Sequence, residues 1–264
     1  MEHLLKNWKK IKKIAGKSSS VLLVLDYDGT LSPIASRPEL AKLPAETKTL
    51  LIKLRINPFF TLAIISGRPL REIRNIIGIP GIVYAGNHGL ELKGANVRYV
   101  NKDAISERGI LHGLYEELRG ELCVMGGVAV EDKGLTLSIH YRLLDEKVRD
   151  SFHAAVKALL DPWVAKKKIK VTRGKMVYEV RPAVDWNKGS TVKWLLGQKE
   201  IFKEKALPIC LGDDRTDEDM FKAVGSKGIT VCVGRDNPFS KAEYYLEDTG
   251  EVAEFLEKLS GLRK

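Results

Sequence analysis

Apolar runs typical of buried strands alternate with helical patterns over the first third of the chain. The run VLLVLD at 21–26 contains no polar side chain before its aspartate, so both faces of this strand are expected to be buried. A helical pattern with Leu50, Leu51 and Leu54 on one face follows at 45–56. The alternation continues with a strand at 59–66, a helix at 69–78 and a strand at 81–86. The pattern predicts an α/β fold, in which a parallel sheet has helices on both faces.

The alternation stops near residue 104 and returns after Pro182. The intervening stretch contains a helical pattern near 104–119, a hairpin at 126–142, a helix at 145–160 that Asp145 is placed to cap, and a second hairpin at 168–182. Hairpins with helices between them favour a small α+β module. We therefore predict a discontinuous α/β core at 1–103 and 183–264, with an inserted domain at 104–182.

The charge balance limits the partners expected for this chain. Lys and Arg total 44 against 34 for Asp and Glu, so the net charge is +10. A basic protein binds nucleic acid, an anionic membrane or an anionic small molecule. The basic runs at 6–13 and 166–170 are interpreted as solvated faces, since no alternation of aromatic and basic residues of the RRM type appears. We therefore predict a small anionic substrate and no nucleic-acid partner. We also expect a monomer.

Several features favour a cytoplasmic protein without a membrane partner. No apolar run approaches the roughly 20 residues of a membrane-spanning helix, and the basic N-terminal segment lacks the apolar stretch of a secretory signal. The spacing of Leu4, Leu5, Trp8 and Ile11 predicts a short amphipathic helix packed on the core, with binding to a membrane surface as the alternative. The three cysteines lie in apolar stretches without paired spacing, which predicts core residues in a reducing compartment.

Polar side chains follow the predicted strands at the point where each strand ends. Asp26 and Asp28 follow the first strand, Ser66 follows the second, and Asp213 and Asp214 follow a later one. Ligands of parallel α/β sheets bind at the carboxyl ends of the strands. We therefore expect these side chains to meet at one edge of the sheet.

A calcium loop, a helix cap and a nucleophile are three interpretations of these aspartates. An EF-hand loop starting at Asp26 needs Gly at its sixth position and Glu at its twelfth, where Leu31 and Arg37 stand, so this interpretation is excluded. A Walker A loop is excluded because NKGST lacks the upstream glycine. Thr216 is predicted to cap the helix that follows it, which does not account for the aspartates that precede the turns.

Carboxylates crowded at one edge repel one another, and such a cluster usually requires a cation. Hard oxygen ligands select Mg²⁺, an ion suited to phosphoryl chemistry. An aspartate can attack phosphorus to give an aspartyl phosphate. A second carboxylate two residues further can protonate the leaving oxygen and later deprotonate the hydrolytic water.

Seven motifs together resemble a known family. LDYDGTLSPI, ISGRP, NKGST and LGDDRTDEDMF occur in an order similar to that of the haloacid dehalogenase (HAD) phosphatase superfamily. With GNHGLEL, LSIHYR and GKMVYEVRPAVDWNKG, the chain resembles trehalose-6-phosphate phosphatases from about Val21 to near its C-terminus. The resemblance implies a HAD-like Rossmannoid core with an inserted C2-type cap domain. It also implies Mg²⁺-dependent hydrolysis of trehalose 6-phosphate through an aspartyl-phosphate intermediate.

The resemblance further implies catalytic roles for four core residues. Asp26 is expected to be the nucleophile and Asp28 the general acid and base. Ser66 is expected to donate a hydrogen bond to the phosphoryl oxygens, and Lys188 to neutralise their charge and hold Asp26 in place. The alternatives are that Ser66 caps the following helix and that Lys188 is a surface residue on a helix's first turn. A positive charge near a helix N-terminus is locally unfavourable, which favours a functional reason for Lys188.

The same resemblance implies the metal ligands. Asp26, Asp213 and the backbone carbonyl of Asp28 are expected to hold Mg²⁺, with Asp217 supporting the site directly or through water. Asp214 is expected to lie behind these ligands.

In the inserted domain, the resemblance implies that Lys175 and Glu179 contact the hydroxyl groups of the disaccharide. The alternative is an exposed ion pair, because both lie on one face of a predicted strand. Further candidates for substrate binding are Arg68, Asn87, His88 and Arg142.

Other functions stay open at this point. Capped sugar phosphatases that act on mannosyl-3-phosphoglycerate or glucosylglycerol phosphate share the core motifs. A regulatory protein that keeps the fold without turnover is a second alternative, and the net charge motivates a nucleic-acid-binding protein as a third.

Overall fold

The computed structural model describes residues 1–35, 38–94, 96–174, 176–198, 206–234 and 239–262. The chain divides into two compact units, one formed by residues 1–99 and 186–264 and the other by residues 100–185. The α/β class is confirmed, because a mostly parallel sheet is accompanied by a small antiparallel one. The assignment of 104–182 as a functional domain stays a prediction.

The strands are β1 (Glu2–His3), β2 (Ser20–Leu25), β3 (Phe60–Ile65), β4 (Val83–Gly86), β5 (Glu91–Gly94), β6 (Val97–Val100), β7 (Ala129–Asp132), β8 (Leu137–His140), β9 (Ile169–Gly174), β10 (Val177–Pro182), β11 (Ala206–Gly212), β12 (Ile229–Val233) and β13 (Tyr244–Leu246). The helices are α1 (Trp8–Gly16), α2 (Ala45–Ile56), α3 (Leu70–Ile77), α4 (Lys102–Ser106), α5 (Arg108–Leu122), α6 (Arg149–Ala165), α7 (Lys188–Leu196), α8 (Glu218–Val224) and α9 (Thr249–Ser260).

Within the described part of the first unit, nine strands form one sheet in the order β1-β13-β12-β11-β2-β3-β4-β5-β6. The pairings from β1 to β4 are all parallel, and β5 runs antiparallel to β4. The central strand β2 is buried along its whole length. Leu23 and Leu25 pack with the apolar faces of α1, α2, α3 and α9, whereas Leu22 and Val24 pack with those of α7 and α8. Helices on both faces therefore explain why β2 carries no polar alternation.

The N-terminal segment packs on this unit, as the amphipathic spacing predicts. Ile11 and Ala15 on α1 are buried, and the ring of Trp8 lies edge-on to Phe255 at 6.2 Å between centroids. The strand β1 was not predicted from the sequence. Its two residues, Glu2 and His3, pair in parallel with β13 through backbone hydrogen bonds that any side chains would allow. None of the helices in the described part of the chain combines the length and the apolar character needed to cross a membrane.

The described residues of the second unit include a four-stranded antiparallel sheet with the order β7-β8-β10-β9. The helices α5 and α6 cover one face through an apolar cluster that includes Leu118, Phe152 and Val180. The Asp145 side chain accepts a hydrogen bond from the Lys147 backbone N–H at 2.9 Å and so caps a 3-10 turn (Glu146–Val148) that precedes α6, not α6 itself. Both predicted hairpins are present, and the helical pattern near 104–119 corresponds to α4 and α5.

The burial predicted for the cysteines is wrong at one position. Cys210 and Cys232 are buried, whereas Cys123 is exposed. Cys123 follows Leu122, the last buried residue of α5, and lies where the helix ends. Its apolar sequence neighbours therefore indicate the end of a buried helix face, not burial of the thiol.

Candidate active site

The carboxyl ends of three neighbouring strands lie at one edge of the large sheet. The strand β2 is flanked by β11 and β3 in matched register. Asp26 directly follows β2, and its backbone N–H donates to the carbonyl of Leu211 on β11 at 3.0 Å. Asp213 directly follows β11, and Ser66 directly follows β3. The parallel topology thus brings the three polar motifs to one edge.

Three carboxylates cluster at this edge. Asp26, Asp213 and Asp217 each place one oxygen atom within 4.8 Å of the others. Asp26 is buried and Asp217 is fully inaccessible to solvent. Desolvated carboxylates so close together are unfavourable unless positive charge balances them.

The ammonium group of Lys188 supplies part of that charge from the first turn of α7. Its Nζ donates to Asp26 Oδ1 at 2.7 Å and to Asp217 Oδ1 at 2.6 Å, and its side chain is only 3% exposed. Burial disfavours the charged ammonium, but Asp217 and Asp26 outweigh this effect and raise the pKa of Lys188. The alternative interpretation of Lys188 as a surface residue is therefore wrong.

One ammonium group does not balance three carboxylates. Burial raises the pKa of Asp26 above its usual range; Lys188 opposes this shift, and the charges of Asp217 and Asp213 add to it. The pKa of Asp217 is also raised, chiefly by burial. An excess of negative charge among hard oxygen donors fits a divalent cation, which Asp26, Asp213 and Asp217 would hold.

Asp28 lies outside this buried cluster and binds Arg68. The Nε and Nη2 atoms of Arg68 donate to the two carboxylate oxygens of Asp28, each at 2.7 Å. The Arg68 Nη1 atom donates to Glu72, which lies in the first turn of α3. The guanidinium carbon also lies 5.4 Å from the centroid of the Tyr27 ring. The predicted acid is thus held in a two-pronged ion pair.

Ser66 closes the turn that follows β3. Its Oγ accepts from the backbone N–H of Arg68 at 3.1 Å, and its carbonyl accepts from the N–H of His88 at 2.9 Å. The carbonyl of Arg68 accepts from the N–H of Asn87 at 2.8 Å. Asn87 and His88 have φ angles of 49° and 58°, a region that side-chain-bearing residues rarely adopt. Ser66 does not cap α3, which begins at Leu70. The two turns instead form one hydrogen-bonded pair of loops.

The motif that follows β11 ends in a capping box. Asp214 is the cap of a short 3-10 turn (Arg215–Asp217), and its side chain accepts from the backbone N–H of Arg215 at 2.6 Å. In return, Asp217 accepts from the backbone N–H of Asp214 at 3.0 Å. The prediction that Thr216 caps the following helix is wrong, because Thr216 lies inside this 3-10 turn and the cap position of α8 is Asp217. This box also directs Asp217 back to Asp26.

Comparison with known proteins shows the family of this chain. The profile of the family described as Trehalose-phosphatase matches residues 24–249. A protein of Arabidopsis thaliana described as probable trehalose-phosphate phosphatase D is 33% identical over 259 residues, which cover 93% of this chain and 68% of that protein. The chain belongs to the trehalose-phosphatase family. It is accordingly a trehalose-phosphate phosphatase.

Solved structures agree with membership of the trehalose-phosphatase family. The C-terminal domain of trehalose-6-phosphate phosphatase from C. albicans superimposes with a TM-score of 0.82 at 28% identity, and the match covers 97% of each chain. A haloacid dehalogenase-like hydrolase from Bacteroides thetaiotaomicron gives a TM-score of 0.62 at 19% identity, with 91% of this chain and 99% of that chain covered. The second likeness shows a shared fold, consistent with a HAD core and a C2-type cap.

Two glycines of this trehalose phosphatase leave room for the carboxylates. An added Cβ at Gly29 would lie 2.2 Å from Asp213 Oδ2, and one at Gly212 would lie 2.3 Å from Asp217 Cγ. Sequence reasoning missed both residues. The signal was present, since one glycine follows the first aspartate pair and the other precedes the second pair.

We expect the replacement of Gly29 by Ala to destabilise the enzyme and to remove most of its activity. Gly29 has a φ of 90°, so a side chain there adds strain of about 1–3 kcal/mol besides displacing Asp213. Urea unfolding and phosphate release measure the two effects. Gly120→Ala in α5 is the matched control, because an added Cβ there meets no atom within 4 Å. Native activity in the Gly29→Ala variant would contradict the expected displacement.

The sugar-recognition residues predicted in this family member fall in the second unit. Glu179 Oε1 accepts from Ser138 Oγ at 2.7 Å and from Lys133 Nζ at 3.3 Å. Arg142 is exposed directly after Tyr141. Lys175 lies outside the described residues, and so does its predicted pairing with Glu179. The first unit therefore collects the predicted catalytic and metal-binding residues together with Arg68, Asn87 and His88, and the second unit contains Arg142 and Glu179.

Proposed function

We propose that the enzyme hydrolyses trehalose 6-phosphate in a Mg²⁺-dependent reaction that passes through a phosphorylated Asp26. The observation that carries this proposal is the contact of Lys188 with both Asp26 and Asp217 inside the carboxylate cluster. The ammonium group offsets the desolvation of Asp26 and so favours the ionised form, which a nucleophile requires.

In the first half-reaction, a carboxylate oxygen of Asp26 attacks the phosphorus atom of the substrate. The bond from this oxygen to phosphorus forms while the bond from phosphorus to the sugar oxygen breaks. Asp28 donates a proton to the departing sugar oxygen. The products are trehalose and an aspartyl phosphate. Ser66 and Lys188 donate hydrogen bonds to the phosphoryl oxygens, on which negative charge is spread.

In the second half-reaction, a water molecule attacks the phosphorus atom of the aspartyl phosphate. Asp28 takes the proton from that water, and the bond between phosphorus and Asp26 breaks. Inorganic phosphate leaves and the Asp26 carboxylate is restored. Asp28 thereby regains the proton that it gave up in the first half-reaction.

The metal in this proposal is Mg²⁺, held by Asp26, Asp213 and the backbone carbonyl of Asp28, with Asp217 in support. When bound, the ion neutralises negative charge on the phosphoryl group. The hard oxygen donors of this set favour Mg²⁺ over softer ions.

Residues 104–182 act in this proposal as the cap domain that recognises the sugar. Glu179 is oriented by Ser138 and Lys133, as a hydrogen-bond acceptor for sugar hydroxyl groups requires. Lys175 contacts hydroxyl groups beside it, and Arg142, Asn87 and His88 are further candidates for substrate binding. The monomeric state, the cytoplasmic location and the absence of nucleic-acid and membrane partners stay predictions from the sequence.

Phosphate release from a panel of sugar phosphates tests the proposal. We expect trehalose 6-phosphate to be preferred by about 100-fold or more in kcat/KM over mannosyl-3-phosphoglycerate and glucosylglycerol phosphate, because buried polar groups are left unpaired by the wrong sugar. EDTA is expected to stop the release and Mg²⁺ to restore it. We expect Lys175→Ala and Glu179→Ala each to raise KM for trehalose 6-phosphate about 10- to 100-fold, as the loss of a hydrogen bond to a charged group does.

The matched control for the cap variants is Glu116→Ala, an exposed position on α5. Native kinetics in both Lys175→Ala and Glu179→Ala would contradict the proposed role of these two residues in sugar recognition. Preference for another sugar phosphate would contradict the proposed specificity and keep the chemistry. No release from any compound would contradict the proposal as a whole.

A further inference from the structure

The ion pair between Asp28 and Arg68 has a geometry that only a guanidinium group provides. Two nitrogen atoms of Arg68 donate to two oxygen atoms of Asp28, both at 2.7 Å. The Arg68 side chain is 7% exposed, whereas that of Asp28 is 41% exposed. The Asp28 carboxylate therefore faces solvent on one side and accepts two hydrogen bonds from the buried guanidinium group on the other.

Arg68 is itself held from several directions. Its backbone N–H donates to Ser66 Oγ, and its carbonyl accepts from the N–H of Asn87. Its third guanidinium nitrogen, Nη1, donates to Glu72, and the Tyr27 ring lies under the guanidinium carbon. The carboxylates of Asp28 and Glu72 both form ion pairs with this buried cation and balance its charge. The guanidinium group is therefore a fixed, permanently charged support for Asp28.

We propose that Arg68, oriented by Glu72, is a positioning residue that holds the Asp28 carboxylate in place for its two proton transfers. This inference rests on the proposed role of Asp28 as general acid and base. Proton transfer requires the carboxylate to lie within hydrogen-bond reach, roughly 2.6–3.2 Å, of the reacting oxygen. A half-exposed aspartate without Arg68 samples several rotamers, and only some of them meet this condition. The role differs from the direct substrate contact predicted for Arg68 from the sequence.

Two substrates with different leaving groups distinguish a positioning role of Arg68 from a structural role and from a direct substrate contact. The sugar alkoxide leaves poorly unless it is protonated, whereas 4-nitrophenolate leaves without a proton. A misplaced Asp28 therefore slows the first half-reaction with trehalose 6-phosphate and spares the first turnover of 4-nitrophenyl phosphate. A damaged site slows both reactions, and a lost substrate contact raises KM for trehalose 6-phosphate without lowering kcat.

The experiment compares Arg68→Lys and Glu72→Gln with the native enzyme in the presence of Mg²⁺. We expect Arg68→Lys to lower kcat for trehalose 6-phosphate about 100-fold, within the range of general acid–base catalysis, with KM changed less than about twofold. Glu72→Gln is expected to lower kcat about fivefold, because the Asp28–Arg68 contact persists with a less restrained guanidinium group. The first-turnover burst of 4-nitrophenolate, measured by rapid mixing, is expected to keep its native rate in both variants.

Two controls separate this inference from the proposed function. Arg71→Lys, at an exposed arginine next to Glu72 on α3, is expected to leave the turnover of both substrates unaffected. Asp28→Asn is expected to show the same selective loss as Arg68→Lys, only larger. Native turnover of trehalose 6-phosphate by Asp28→Asn would overturn the proposed function of Asp28, whatever Arg68→Lys does.

Three results would overturn the positioning role while Asp28→Asn behaves as expected. These are an equal loss of both reactions in Arg68→Lys, a raised KM at native kcat, and native kcat for trehalose 6-phosphate. Should Arg68→Lys fail to fold, Glu72→Gln tests the same prediction, because the Glu72 side chain is 38% exposed and its replacement keeps the shape. Native kcat for trehalose 6-phosphate in Glu72→Gln would then overturn the inference.

Discussion

Replacing Asp26 by Asn is expected to lower kcat for trehalose 6-phosphate by about 10⁴-fold or more, as the loss of a catalytic nucleophile does. The amide has nearly the shape of the carboxylate but does not attack phosphorus. Because burial disfavours the charge of Asp26, the neutral amide is expected to leave the fold intact. Steady-state phosphate release with saturating Mg²⁺ measures the loss.

Trapping of the intermediate makes this prediction specific. Mass spectrometry of acid-quenched native enzyme is expected to find a phosphoryl group on the peptide that contains Asp26, and none in the variant. Asp145→Asn, at the exposed cap in the second unit, is the matched control and is expected to retain native turnover. A phosphoryl group on any other residue would refute the assignment of Asp26.

Replacing Lys188 by Met is expected to lower both activity and stability. The change leaves Asp26 and Asp217 buried without their shared ammonium group. Removing one partner of a buried ion pair costs about 3–5 kcal/mol. We expect a loss of this size in the free energy of unfolding, measured in urea with EDTA present. The loss of charge stabilisation at the phosphoryl group is expected to lower kcat by about 10³-fold.

Mg²⁺ is expected to recover part of the stability of Lys188→Met. A ligand that binds the folded state alone stabilises it, and the variant cluster carries more uncompensated negative charge. The difference in unfolding free energy between Mg²⁺ and EDTA is therefore expected to be larger in the variant than in the native enzyme. Lys193→Met, an exposed position on the same helix, is the matched control. An unchanged unfolding free energy in Lys188→Met would show that the carboxylates do not need this ammonium group.

The helices and strands that position the site could be predicted from local sequence patterns. Apart from Ser20 and Thr61, the strands β2 and β3 consist of apolar residues, as burial on both faces of a sheet requires. The helix α3 begins directly after Pro69 and ends at Gly78, whose φ of 64° is the left-handed conformation that glycine favours at a helix end. The strand β1 could not be predicted in this way, since two residues carry no periodicity.

The site residues that directly follow strands could be predicted from the sequence. Asp26, Ser66 and Asp213 lie at one edge because parallel strands present their carboxyl ends together. The capping box of Asp214 and Asp217 was not predicted, because the sequence placed the start of the helix at Thr216 and gave no sign of the 3-10 turn before α8.

The sequence by itself determined the layered sheet, the helices on both of its faces and the edge at which the acidic motifs lie, because apolar periodicity dictates burial over short distances along the chain. Apart from the contact of Lys188 with Asp26, which the family resemblance implies, only the tertiary structure decided which charges pair. Lys188 meets Asp26 across 162 residues, and Arg68 meets Asp28 across 40. Such contacts depend on side-chain directions and on distances near 2.7 Å, where a shift of one ångström breaks a hydrogen bond, and no local pattern specifies positions to that degree.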